Sequence, residues 1–336
     1  MERLGESLIS VVVPNYNGKG FLSECLDSLL EQSYGETEII VVDNASRDGS
    51  VKIVEEKYPD VRLVRLEENG GFSAAVNAGI EASKGEFVVL LNNDTKAEPE
   101  FLAELHAALV EEEGAAMSAP KMLFARGPDT INSLGLGYSI TGTNHDIGFG
   151  LKDGPHFGAR KWIFGPCGGA GMYRRSMLDD VGPFDEDFFM YYEDVDYGFR
   201  AQLAGHKCIF VPTARVYHAE GASGETLPRP RNYYFARNSL TVIAKNFPRR
   251  LMFLYVHVIL WEMIKRAGSA LLKGDASALL GYFAALGKLG SALKKRREIQ
   301  GRKRVPDSYI ENMLKSNRSV LNEINLRGRP AAEEHP

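Results

Sequence analysis

Four apolar runs in the first hundred residues each stop on an amide or a carboxylate, and the sharpest is Val88-Val89-Leu90-Leu91-Asn92-Asn93-Asp94. A β-branched and leucine-rich run without polar alternation reads as a strand buried on both faces, as in parallel sheets. Its abrupt polar end delivers Asp94 to the carboxyl edge of the sheet, where open α/β folds bind ligands. Leu8 to Val13 ends likewise at Pro14-Asn15-Tyr16-Asn17, Glu38 to Val42 ends at Asp43, and Val61 to Leu66 precedes Asn69-Gly70-Gly71. Between the runs, Phe21, Leu22, Cys25, Leu26, Leu29 and Leu30 recur at helical spacing. Ser and Asp around residue 48 offer helix caps, and a third helix is expected over residues 73 to 82. Strands separated by helices of this length imply an α/β fold, with a mostly parallel, right-handed, Rossmann-like sheet covered on both faces.

In such a sheet the strand ends converge on one crevice, so Asn15, Asp43, Asn69 and Asp94 become neighbours around a single ligand. Each has a plain structural use on its own; Asp43, for example, could simply cap the following helix. The series of four favours a site.

At 336 residues the chain can bury one large core or two smaller ones. Cys25, Cys167 and Cys208 match neither a disulfide framework nor a zinc pattern, which points to a reducing compartment and structural roles. The first residues, Met1 to Glu6, lack the basic and apolar regions of a secretory signal, so a cytoplasmic location is expected. The net charge of -4 conceals an asymmetry: residues 245 to 304 carry 14 Lys/Arg against 3 Asp/Glu. A basic appendage follows an acidic body.

From residue 114 to 160, Gly, Pro, Asn and Asp recur, which predicts loops and short strands of the sort that carry a substrate site. Order returns with Gly165-Pro166-Cys167-Gly168-Gly169-Ala170-Gly171, the segment from Phe184 to Arg200, and a strand from Cys208 to Val211.

Five motifs in order carry a family resemblance: Val12-Val13-Pro14-Asn15-Tyr16-Asn17, Val41-Val42-Asp43-Asn44-Ala45-Ser46, Asn69-Gly70-Gly71-Phe72, Leu90-Leu91-Asn92-Asn93-Asp94 and Glu193-Asp194-Val195-Asp196. Over roughly residues 8 to 245 the chain resembles the family-2 inverting glycosyltransferases with the A-type fold (GT-A), and more closely their bacterial rhamnosyltransferase-like branch. The resemblance implies a catalytic domain over residues 1 to 245, its nucleotide-binding part reaching about 115 and its acceptor and metal part about 116 to 245. A basic amphipathic helical region over 246 to 304 and a polar tail over 305 to 336 would follow.

The resemblance also assigns roles. Pro14, Asn15, Tyr16 and Asp43 would hold the nucleotide; a carboxylate, being acceptor-only, suits the imide N–H of uracil or thymine. Asn69, Gly71, Asn77 and Asn93 would line the same pocket, with Arg237 near the diphosphate. Asp94 would bind Mg2+ or Mn2+, with His218 of Val216-Tyr217-His218-Ala219-Glu220-Gly221 as a second ligand. The family often shows Asp-x-Asp here, whereas this chain has Asn92-Asn93-Asp94, so one carboxylate is missing. Asp194 would be the general base, and Trp162, Gly169, Ala170 and Glu193 would border the donor and acceptor sugars. Plainer readings stand beside these: a core role for Trp162, a hydrogen-bonded loop histidine for His218, and an i,i+4 ion pair of Asp196 with Arg200.

The implied reaction moves a sugar from a UDP- or dTDP-sugar, dTDP-rhamnose among them, to a glycan or lipid-linked acceptor in cell-surface polysaccharide assembly. A sugar-nucleotide nucleotidyltransferase would need a Gly-rich basic phosphate loop, and Pro14-Asn15-Tyr16-Asn17-Gly18 is not one. Gly281 to Lys288 also misses the P-loop pattern. An inactive nucleotide-binding scaffold is the non-enzymatic alternative.

Leu251 to Ile264 is nearly continuous in apolar residues but too short for a span of roughly 20. Leu272, Ala276, Leu279, Phe283, Leu286 and Leu293 then form a stripe rimmed by Lys and Arg and ending in Lys294-Lys295-Arg296-Arg297. An apolar face with a basic rim suits an anionic membrane, here the inner face of the plasma membrane. Packing on the catalytic domain or on a second copy in a homodimer is the structural alternative. Nucleic acid is excluded as a partner, because the basic residues accompany a large apolar face on an acidic protein. Residues beyond 305 are expected to be loosely ordered.

Overall fold

The computed structural model describes residues 7 to 219 and 227 to 316. Met1 to Glu6, the Glu220-Gly221 end of the histidine motif, and the tail beyond residue 316 lie outside the described residues.

The first four strands are β1 (Ile9–Asn15), β2 (Thr37–Asp43), β3 (Arg62–Arg65) and β4 (Phe87–Leu91), joined through α1 (Leu22–Leu30), α2 (Ser50–Lys57) and α3 (Gly71–Ala82). They lie side by side in the order β3-β2-β1-β4, all parallel, with Asn15 opposite Asp43 in register. Their apolar runs are buried on both faces. Val11, Val13, Val41 and Val89 pack into one core layer with α1, and Val12, Ile40, Val42 and Val88 into the opposite layer with α3. Because β2 and β3 lie on one side of β1 and β4 on the other, the chain reverses its winding between β1 and β4. A crevice opens at such a switch, beyond the carboxyl ends of the strands.

The chain continues through β5 (Thr95–Ala97), α4 (Phe101–Glu111), β6 (Ala115–Phe124), β7 (Ile131–Ser133), β8 (Leu136–Tyr138), β9 (Asn144–Asp146), β10 (Lys161–Ile163), β11 (Ala170–Arg174), α5 (Arg175–Val181), α6 (Glu193–Leu203) and β12 (Lys207–His218). The sheet extends from β4 through antiparallel β11 to β6, then parallel to β12, with β10 at the edge. The fold is a mixed α/β sandwich with a mostly parallel central sheet.

Two strands exceed the expectation. The region after residue 114 opens with β6, ten residues long and almost wholly buried, instead of loops and short strands. Its small residues and Pro120 disguise it; proline offers no N–H to a ladder, and the register with β12 shifts there, between Val211 and Arg215. β12 likewise runs on from Val211 to His218, crossing the same irregularity. The N-terminus of α2 has no side-chain cap; Asp48 instead receives the backbone N–H and hydroxyl of Ser50.

The C-terminal helices are α7 (Arg231–Asn246), α8 (Arg249–Leu272), α9 (Ser277–Gly287) and α10 (Leu289–Gly301). α7 packs against α6, α9 and α10. A third core layer joins Tyr138, Phe164, Phe188 and Phe199 of the body to Val242, Phe247 and Leu251, and takes in Ile310 and Leu314. The tail therefore does not begin at 305: residues 307 to 316 are helical and two of their apolar side chains are buried. The basic cluster is also only partly a rim. Arg296 is buried and donates to the carbonyl of Ala244, and Lys295 pairs with Asp185 and Asp187, leaving Lys294 and Arg297 exposed.

Candidate active site

A cleft of about 830 Å³ occupies the switch point. On its first side stands a network of amides. Asn15, ending β1, donates to Asp43 (3.2 Å) and Ser50 (2.9 Å) and receives the side-chain N–H of Asn93 (2.7 Å). Asn44 bridges to Asn69 (2.9 Å) and to the carbonyl of Gly71 (3.0 Å), while the Gly70 N–H donates back to Asn44. Two strand ends and the β3–α3 turn are thereby fastened together. Gly18 is required here, since a Cβ would stand 2.0 Å from the Asn93 amide. Gly71 has φ +84°, and a Cβ would meet the Phe189 carbonyl at 2.3 Å.

The opposite wall brings Asp94 and His218 together. β5 pairs antiparallel with β12, placing Thr95 opposite His218, and the Ala219 N–H donates to the Asp94 carbonyl at 2.9 Å. His218 Nε2 consequently lies 3.1 Å from Asp94 Oδ1, and Nδ1 lies 3.1 Å from Asn132 Oδ1. With the proton on Nδ1, donated to Asn132, Nε2 turns its lone pair toward the carboxylate, an arrangement that a shared cation satisfies. Among the described residues no cluster of three or more His, Cys, Asp or Glu could hold a metal. Asp94 and His218 thus fit Mg2+ or Mn2+ only if ligand oxygens complete the shell.

At the floor, α6 opens with Glu193 and Asp194. Asp194 accepts the N–H of Gly168 (2.8 Å) on one oxygen and its neighbour Val195 N–H (2.7 Å) on the other. Burial raises the Asp194 carboxyl, opposed by those two N–H groups. Glu193 is pushed to about 8 by burial and then by the charge of Asp194. Burial and the neighbouring carboxylate thus both favour the protonated form of Glu193. The chain enters α6 through a strained segment: Phe189, Tyr191 and Tyr192 all have positive φ, between 64° and 71°. Asn238 stabilises it by donating to the carbonyls of Met190 (2.9 Å) and Tyr191 (2.6 Å), and Arg237 donates to the backbone carbonyls of Asp187 (3.2 Å) and Phe188.

The structure brings Pro14, Asn15, Tyr16, Asn69, Gly71, Asn93, Asp94, Gly169, Glu193, Asp194 and His218 onto this one cleft. Asp43 lies one layer behind Asn15, where it also receives the Ser46 N–H at 3.1 Å. Four expected residues stand elsewhere. Trp162 is on edge strand β10, half exposed, with Lys207 over its ring. Ala170 is buried in β11 opposite Leu91, because alternation along the strand turns it to the core. Asn77 tethers α3 to Phe184, accepting its N–H and donating to its carbonyl. Arg237 is spent on the carbonyls that precede α6. Arg231 lines the cleft instead, its guanidinium over the rings of Tyr191 and Phe235. Asn44, Asn132, Asn144 and Asp146 also line it and were not singled out as site residues from sequence. Asn44 could have been found as the residue beside Asp43 at a strand end; the other three come from the turn-rich stretch, where spacing carries no geometry. Asp196 pairs with Arg200 at 2.9 Å.

Amides at strand ends, a carboxylate–imidazole pair and a buried carboxyl pair thus surround one switch-point cleft of an α/β fold, the place where such folds bind ligands. The sequence model of glycosyl transferase family 2 matches residues 10–182, and the chain belongs to that family. It is 28% identical over 261 residues, 70% of this chain and 83% of the relative, to the N-acetylglucosaminyl-diphospho-decaprenol L-rhamnosyltransferase of Mycobacterium tuberculosis. It is 29% identical over 229 residues to the O-antigen biosynthesis protein RfbC of Myxococcus xanthus, covering 65% of this chain but 18% of that protein. The chain thus spans a small part of some curated relatives. Among solved structures, S. aureus TarS 1-349 in complex with UDP-GlcNAc aligns with a TM-score of 0.57 at 20% identity, over 93% of this chain and 92% of that one. GalNAc-T7 with UDP, GalNAc and Mn2+ gives 0.59 at 16% identity, over 86% and 58%. These neighbours share the GT-A fold.

Proposed function

We propose that the protein is a metal-dependent inverting glycosyltransferase that moves a sugar from a UDP- or dTDP-sugar to a hydroxyl of a glycan or lipid-linked acceptor in cell-surface polysaccharide assembly. The observation that carries this reading is the position of Asp194, held by the Gly168 N–H in the same cleft as the Asn15–Asn44–Asn69 network and the Asp94–His218 pair. The relative acting on a diphospho-decaprenol acceptor supports rhamnose as the donor sugar and a lipid-linked acceptor.

The nucleotide lies along Asn15, Asn44 and Asn69. Asp43, one layer behind, accepts from Asn15 and Ser46 and so orients the Asn15 amide that faces the nucleotide. Asn93 fixes Asn15, and Arg231 faces the diphosphate in the role first expected of Arg237. A divalent cation at Asp94 and His218, when bound, neutralises charge on the leaving diphosphate. The acceptor oxygen attacks the anomeric carbon, the bond to the diphosphate breaks with its electron pair leaving on the nucleotide, and Asp194 takes the hydroxyl proton. Glu193, neutral, can donate a hydrogen bond to a sugar hydroxyl beside it. Among the described residues no helix is long and apolar enough to cross a membrane, and we place the enzyme at the cytoplasmic membrane face as a peripheral protein.

Titration with UDP- and dTDP-sugars, with and without Mg2+ or Mn2+, tests the reading. Micromolar, cation-dependent binding of one of these donors is expected; binding of none of them would overturn it.

A further inference from the structure

The segment from Phe188 to Tyr192, which leads into α6, holds a backbone that its residues would not adopt alone. Phe189, Tyr191 and Tyr192 have φ of 64°, 67° and 71°, and for bulky side chains a positive φ is an outlier. At Phe189 the pair φ 64°, ψ -57° is the strained form of the γ-turn, closed by the Met190 N–H on the Phe188 carbonyl at 2.8 Å. Such conformations persist only where the surrounding structure over-determines them, and they gather at functional sites. Here the turn aims the Phe189 carbonyl at the N-terminus of α3, where it accepts the Phe72 N–H at 2.8 Å. Four residues further on, Glu193 and then Asp194 open α6 on the cleft floor.

One side chain of α7 holds the middle of this segment. Asn238, 1% exposed, gives its amide N–H groups to the carbonyls of Phe188 (3.2 Å), Met190 (2.9 Å) and Tyr191 (2.6 Å). Its Oδ1 accepts the Arg237 Nε–H at 2.8 Å, and Arg237 fixes the start of the segment through the backbone carbonyls of Asp187 (3.2 Å) and Phe188. An amide suits this place because it donates to carbonyls and accepts from a guanidinium at once, which neither a carboxylate nor an ammonium can do. Neither Arg237 nor Asn238 lines the cleft.

We propose that Asn238 is a positioning residue for the proton transfer: by holding the strained turn it sets Asp194 against the cleft wall at Gly71 and Phe72, without touching a ligand itself. The inference rests on the transferase reading and deepens it, because Asp194 reaches the attacking hydroxyl only if α6 starts where the turn puts it. A carboxylate displaced by about 1 Å can lose about 10²-fold in rate. Asn238 lies midway along α7, and a helix holds such a group more tightly than a loop does.

Asn238→Ala and the milder Asn238→Ser test it in the full chain, with water as acceptor and release of the nucleotide from dTDP-rhamnose or UDP-N-acetylglucosamine as the readout. Turnover at saturating donor should fall at least about tenfold in both, with donor affinity within a few fold of wild type. Added to Asp194→Asn, either substitution should cost less than about threefold more, since a base already removed cannot be misplaced; a general structural defect would multiply the two losses. Amide exchange reads the geometry without turnover. The Phe72 and Gly168 N–H groups, bonded to Phe189 and Asp194, should exchange at least about tenfold faster in the variants, and the Asn44 N–H, bonded to Asn15, at the wild-type rate. Unchanged turnover, multiplying losses, unchanged exchange at Phe72 and Gly168, or failure of both variants to fold would each overturn the positioning role. A wild type that releases nucleotide from neither donor, with the exchange differences present, would overturn the transferase reading and the catalytic meaning of the turn, while Asn238 would still be its clamp.

Discussion

His218 Nε2 stands 3.1 Å from Asp94 Oδ1 because three residues of β5, immediately after Asp94, pair with the last three of β12. The contact is a product of the sheet: two residues far apart in sequence meet, and the proposed function gives them to one cation. Asp94→Ala should weaken cation-dependent donor binding by at least about tenfold, the scale on which loss of a metal-supporting group acts. His218→Ala should do so more mildly. Calorimetric titration of the donor with and without Mn2+ reads both, and wild-type binding that ignores chelation would contradict the pairing.

Glu193 supplies a pH signature. Its carboxyl is pushed to about 8, against an ordinary value near 4.5, so between those limits the native state binds more protons than the unfolded chain. Stability from this group therefore falls as pH rises through that window, and the whole cost is present above about 8. Glu193→Gln cannot ionise, so its melting temperature should rise relative to wild type above pH 8 and stay close to it below about pH 5. An unchanged difference across the range would show that Glu193 is charged in the native protein.

Lys245 is buried between Asp185 and Asp196, on the face of α7 that supports the segment leading into α6. Burial alone would raise Asp185, but Lys245 and then Lys295 pull it down to about 2. Lys245→Ala leaves two buried carboxylates short of their cation and should cost about 3–5 kcal/mol in urea unfolding. In the wild type the stabilisation from Asp185 is present above the ordinary Asp range and disappears as pH falls toward about 2. A loss under about 1 kcal/mol would mean that Arg200 and Lys295 suffice.

The strand ends were legible because a buried parallel strand writes itself as an uninterrupted apolar run, and its polar stop marks the crevice. Asn15, Asn69, Asp94 and Asp194 needed only that logic and a motif order. β6 was not legible, since Ala115, Ala116, Ser118 and Pro120 are poor strand signals and its burial comes wholly from neighbours in the sheet. Arg237 and Arg231 could not be told apart by type. Both sit on α7, and only the winding of that helix decides which faces the cleft and which reaches the carbonyls before α6. The basic cluster at 294 to 297 was legible only in part for the same reason: helical phase leaves Lys294 and Arg297 exposed but buries Arg296 and turns Lys295 onto Asp185 and Asp187.

The central claim is that Asp194 takes the acceptor proton, and the direct measurement is single-turnover transfer by Asp194→Asn at saturating donor and acceptor. Asparagine keeps the shape and can still receive the Gly168 N–H, but it cannot accept the proton. The account predicts a rate lower by about 10²–10⁴ with donor affinity within a few fold of wild type. Transfer at a near-normal rate by that variant would contradict it and move the base elsewhere in the cleft.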